Sequence, residues 1–105
     1  MCGIAGIYHP QTAKPVDEAR VRAMADAIAH RGPDGEGIWM GPGVGLGHRR
    51  LAIIDLTGGA QPMVSEDGQA VIVFNGEIYN YLEVRADLEA LGEGFRTNSD
   101  TEVIL

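Results

Sequence analysis

Glycine sets the limits on this fold. Fifteen of the 105 residues are glycine, about twice the usual share, gathered in 32–47, at 58–59 and around 92–94 without a fixed period. Clusters of this kind interrupt helices and permit tight turns. The expectation is therefore a set of short strands joined by close turns. No low-complexity tract, repeat or linker divides the chain, which reads as about one domain.

The apolar pattern places the elements. Cys2 to Tyr8 is a short apolar stretch that ends at His9-Pro10, as a buried strand would. Between Val16 and Ala29, apolar side chains at Val21, Met24, Ala25 and Ile28 follow helical spacing, and Gly32-Pro33 closes the segment. Ile38–Met40, Val44–Ile54 and Gln69–Asn75 read as strands that pair antiparallel, with turns at Gly41-Pro42-Gly43 and Asp67-Gly68. A second helix carries Tyr81, Val84, Leu88 and Leu91, with Asn80 as N-cap and Gly92 as stop. Phe95 to Thr97 look extended. Ser99-Asp100-Thr101-Glu102 then has the form of a capping box, so a third helix is expected to start there, in a chain that reads as the front part of something longer.

Composition narrows the function classes. With 45% apolar residues and a net charge of -7, the chain has the balance of a soluble globular protein. A single cysteine excludes an internal disulfide framework, and no apolar run suits a signal peptide or a membrane span, so a reducing cytoplasm is the expected location. Eight basic residues are scattered without a run, which leaves no footprint for nucleic acid. His9, His30 and His48 lack metal-ligand spacing, so no metal site is expected.

Cys2 stands where an ordinary domain frays. Were Met1 removed, this one residue would own a thiol and a free α-amine, which ordinarily titrate near about 8.5 and about 7.7–8.0. Nucleophile and base would then share a residue, as in N-terminal-residue catalysis. The plainer reading is a small hydrophobe at a strand edge. In VFNGEIYN, the backbone at Gly76 and the Asn75 amide could form an oxyanion hole, or a simple turn. In GHRRLAIIDL, neighbouring strand residues face opposite ways, so only one of Arg49 and Arg50 can reach a given site, and Arg49 is expected to be the surface partner of an acid. Asp100 has a structural role in a helix's first turn and a second possible role binding an ammonium group. Asp34, after Pro33, has a similar ambiguity.

Together MCGIAGIY, HRGPDG, GHRRLAIIDL, QPM, NGEIYNY and FRTNSDTEVIL resemble, end to end and in order, the glutaminase domain of the glutamine-hydrolysing asparagine synthetases. These are class II glutamine amidotransferases, a branch of the N-terminal-nucleophile hydrolases. The resemblance implies an α+β fold, the leading part of an αββα sandwich of two mostly antiparallel sheets. It implies that Cys2, freed of Met1, forms a γ-glutamyl thioester, with Asn75 and Gly76 as oxyanion donors. It assigns Arg50 to the substrate α-carboxylate, Glu77 and Asp100 to its ammonium, and the backbone around Leu51, Ile53 and Ile54 to the pocket wall. The only departure is Gly92-Glu93-Gly94, where a bulkier or basic residue is usual; it touches no catalytic position.

L-Glutamine is the implied substrate, and no cofactor is implied for this segment. ATP and magnesium would belong to a following synthetase domain that receives ammonia. Part of a sandwich should also leave a sheet face uncovered. A related acceptor other than aspartate, or a non-catalytic glutamine-binding module that keeps Met1, would use many of the same residues. Oligomeric state is open, a homodimer included.

Overall fold

The computed structural model describes residues 1–10, 14–52 and 58–105, so Ile53 and Ile54 lie outside the described residues. The fold is α+β. Strands β1 (Gly3–Tyr8), β2 (Gly35–Gly41) and β3 (Val44–Arg50) form an antiparallel sheet in the order β1-β3-β2, and β4 (Met63–Val64) pairs antiparallel with β5 (Val71–Ile72) in a second, smaller sheet. Helix α1 (Glu18–Ala27) follows β1, helix α2 (Tyr81–Ala90) follows β5, and short 3-10 turns span Ala29–Arg31 and Asp100–Ile104.

Helix α1 lies close on one face of the larger sheet because its central strand, β3, presents Gly45 and Gly47 there. A Cβ added to Gly45 would come within 2.7 Å of Val21, and one on Gly47 within 3.3 Å of Ala25. Val21 and Ala25 are fully buried there. Ion pairs fasten the edge: Arg22 reaches Glu36 at 3.1 Å, and Arg49 pairs with Asp26 and, at 3.5 Å, with Glu36. The opposite face is thinly covered. Its β1 residues Ile4 and Tyr8 remain 49% and 69% exposed.

The expected elements are present, several of them shorter. The first helix runs from Glu18 rather than Val16, because Asp17 caps it by accepting from the Ala19 N–H at 3.0 Å. Strand β3 ends at Arg50, where the chain leaves the ladder, and of Gln69–Asn75 only Val71–Ile72 are paired. Asn80 occupies the cap position of α2 without a side-chain cap bond. Gly92 ends that helix as read, in positive φ, with the N–H groups of Gly92 and Glu93 bonded back to Glu89 and Leu88.

The expected third helix is a 3-10 turn. Ser99 accepts from the Thr101 N–H, but Glu102 does not return to Ser99; its carboxylate instead takes the N–H groups of Arg96 and Thr97, each at 2.8 Å. The reciprocal half of the capping box is thus replaced by a clasp on the preceding extended piece.

Candidate active site

A cleft of about 340 Å³ opens between the two sheets and the second 3-10 turn. Cys2 and Arg50 enter from the larger sheet, with Leu51 just beyond it. Asn75, Gly76 and Glu77 enter from the segment after β5, and Asp100 from the 3-10 turn. Every described residue that the sequence selected for the site therefore lines one cavity.

Cys2 is half-buried and its sulfur is gripped by the backbone of Leu51: the thiol donates to the Leu51 carbonyl at 3.6 Å, and the Leu51 N–H points at Sγ at 3.2 Å. The Cys2 carbonyl in turn accepts from Arg31 Nε at 3.2 Å. The HRGPDG segment also fixes the backbone around Leu51 on the same wall of the cleft. Asp34 N–H donates to the Arg50 carbonyl and its carboxylate accepts from the Ala52 N–H, both at 2.9 Å. Asp34 thereby clasps the backbone on both sides of Leu51.

The paired arginines divide as strand alternation requires. Arg49 turns to α1, donating to the Ala25 carbonyl at 3.1 Å besides its ion pairs, while Arg50 lines the cleft. On the far wall, Asp100 is buried and one of its oxygens accepts from the Ile78 N–H at 2.8 Å. The turn bearing Glu77 and the turn bearing Asp100 are thus joined by that bond. Gly76 lies so close to the Phe74 ring that an added Cβ would approach it to 2.8 Å.

Two polar residues beneath the cleft escape sequence reasoning. Gln61 accepts from the Phe74 N–H at 2.6 Å and donates to Thr101 Oγ1 at 3.2 Å. His48, 1% exposed on β3, meets the Phe74 carbonyl through Nε2 at 3.3 Å. Burial depresses the His48 pKa, the bond to Phe74 opposes this, and the positive charge of Arg50 adds to the depression, so the ring is held neutral. The carbonyl fixes the tautomer, with the proton on Nε2 and Nδ1 left without a partner. In the sequence His48 stands beside Arg49-Arg50 and Gln61 before Pro62, with nothing local to mark the bond that each makes. Among the described residues no group of three or more His, Cys, Asp or Glu could hold a metal ion.

The family model for a glutamine amidotransferase domain matches residues 1–105. The chain belongs to the glutamine amidotransferase domain family. It is 49% identical over 107 residues to asparagine synthetase [glutamine-hydrolyzing] 1 of Bacillus subtilis, covering all of this chain and 17% of that protein. It is 45% identical to asparagine synthetase [glutamine-hydrolyzing] 2 of the same organism, over all of this chain and 14% of that protein. A probable asparagine synthetase [glutamine-hydrolyzing] of Schizosaccharomyces pombe is 42% identical, with all of this chain and 19% of the relative covered. The chain thus spans less than a fifth of the length of these relatives.

Proposed function

We propose that this chain is the leading part of a glutaminase domain that hydrolyses L-glutamine, within a glutamine-hydrolysing asparagine synthetase. The observation that carries the reading is the convergence on one cleft of a thiol, a guanidinium, two carboxylates and an Asn-Gly pair from four separate parts of the chain. The names of the relatives supply the reaction class.

In this reading Arg50 takes the substrate α-carboxylate as a bidentate fork, and Glu77 and Asp100 take the α-ammonium. Both charged ends of a free amino acid are bound, which places its side-chain amide at Cys2. After removal of Met1, which is exposed at the cleft mouth, the Cys2 α-amine accepts the thiol proton and sulfur attacks the amide carbon. Negative charge gathers on the amide oxygen, within reach of the Asn75 side chain and the Gly76 N–H. The amine then gives its proton to the departing nitrogen, which leaves as ammonia, and water attacks the γ-glutamyl thioester to release glutamate and restore the thiol.

Ammonia then passes to a following domain that activates aspartate with ATP and magnesium. The cytoplasm, where glutamine and ATP meet, is the proposed location, and a homodimer is one assembly compatible with the chain.

Cys2→Ala in the full-length protein tests the reading. Amide synthesis from glutamine is expected to fall below detection while synthesis from free ammonia continues. Persistence of glutamine-dependent synthesis would refute the role of Cys2. A protein that binds glutamine, keeps Met1 and turns nothing over would instead be a binding module.

A further inference from the structure

We infer that Gln61 is the positioning residue that sets the oxyanion donors of this site; the inference rests on the glutaminase reading above. Gln61 carries no reactive group, yet its surroundings fix it tightly. Its backbone carbonyl lies against β2, where a Cβ on Gly37 would come within 1.9 Å of the oxygen. Its side-chain amide then forks. The oxygen accepts from the Phe74 N–H at 2.6 Å and the nitrogen donates to Thr101 Oγ1 at 3.2 Å. Because the Phe74 N–H can only donate, it fixes which way the amide points.

The two partners give the fork its meaning. Phe74 directly precedes Asn75-Gly76, and Thr101 directly follows Asp100. One amide therefore links the arm that would stabilise the tetrahedral oxygen to the arm that would hold the substrate ammonium. His48 completes the grip by meeting the Phe74 carbonyl at 3.3 Å, so Phe74 is held on both sides of its Cα. With Phe74 fixed, the Asn75 amide and Gly76 N–H have little room to drift from the place where charge develops.

Loss of that grip acts mainly in the transition state, where the oxyanion exists, and a misplacement of about 1 Å is enough to cost about 100-fold. Gln61 should therefore govern kcat more than KM.

The test is steady-state glutamine hydrolysis by the full-length protein as wild type, Gln61→Met, Gln61→Asn and Gln61→Glu, with melting curves for each. Methionine keeps the shape without the polar groups, and asparagine is too short to reach. Both are expected to lower kcat by about 30- to 100-fold with KM changed by less than about threefold. Glutamate still accepts from Phe74, and the Thr101 hydroxyl can turn to donate to it, so kcat should return to within about fivefold of wild type.

A folded Gln61→Met or Gln61→Asn protein with kcat within about threefold of wild type overturns the inference. So does a folded Gln61→Glu protein whose kcat falls more than about 30-fold below wild type, and that result decides the matter if the other two fail to melt cooperatively. Wild-type protein without glutaminase activity overturns the underlying reading as well. Active wild type with indifferent variants overturns the role of Gln61 alone.

Discussion

The two halves of this molecule are held by different physics. In the half made of β1, β2, β3 and α1, the buried Val21 and Ala25 seat closely on Gly45 and Gly47, beside Met40 and Ile38. The half made of β4, β5, α2 and the second 3-10 turn is fastened by polar side chains reaching backbone. Glu102 holds residues 96 and 97, Asp100 holds Ile78, and Arg85 donates to the Thr97 carbonyl at 2.6 Å while lying 4.6 Å over the Phe95 ring. Helix α2 has no fully buried residue. The glycine-packed half carries Cys2 and Arg50, and the polar half carries Asn75, Gly76, Glu77 and Asp100. The site is thus shared between a wall set by close packing and a wall set by hydrogen bonds.

The strongest way to break that contrast is Gly37→Ala. The new methyl would meet the Gln61 carbonyl at 1.9 Å and Pro62 Cδ at 2.8 Å. Since backbone must move to admit it, the expected loss is about 3 kcal/mol in chemical denaturation. A loss within about 0.5 kcal/mol, the usual range for a surface change, would show that the glycine packing is soft.

Acid should sharpen the contrast by loosening the two halves at different points. The folded pKa of His48 lies below its ordinary value of about 6.5, so as pH falls past that value the unfolded chain takes up the proton first and stability declines. Burial raises the Glu102 pKa, but the N–H of Arg96 and the hydroxyl and N–H of Thr97 outweigh it and leave the carboxyl below the usual range. That contribution is complete above the ordinary carboxylate range and is lost only in stronger acid. Melting temperature is thus expected to fall first below about pH 6.5 and again below about pH 4.5. A flat profile from neutrality to pH 5 would mean that the His48 ring is not held neutral by burial.

The smallest effect belongs to α2. Leu82 is 66% exposed, so Leu82→Ala should change stability by no more than about 0.5 kcal/mol. A loss near 2 kcal/mol would place Leu82 against a surface that covers it, and the polar half would be better packed than the contrast allows.

What the sequence revealed follows the range of the forces involved. Strand β1, both helices, the Gly92 stop and the opposite facing of Arg49 and Arg50 were legible because periodicity and alternation are local. The roles of Arg31, Asp34, His48 and Gln61 were not. Each depends on a hydrogen bond between distant parts of the chain, such as Arg31 to Cys2 across 29 positions or Gln61 to Thr101 across 40. Asp34 was noticed for its turn chemistry, and nothing local said that its carboxylate would reach Ala52. The capping box at Ser99 was half legible, because its Glu102 found stronger partners upstream than the box supplies.

The glycines beneath α1 also act as an address. A slip of β3 by one residue would turn Arg49 to the cleft face and Arg50 to the helix face, and their charge alone cannot prevent this. Gly45 and Gly47 can: any slip by one residue would push Val44, Leu46 or His48 into the space that Val21 and Ala25 already fill. Which guanidinium meets the cleft is therefore spelled by residues that have no side chain at all.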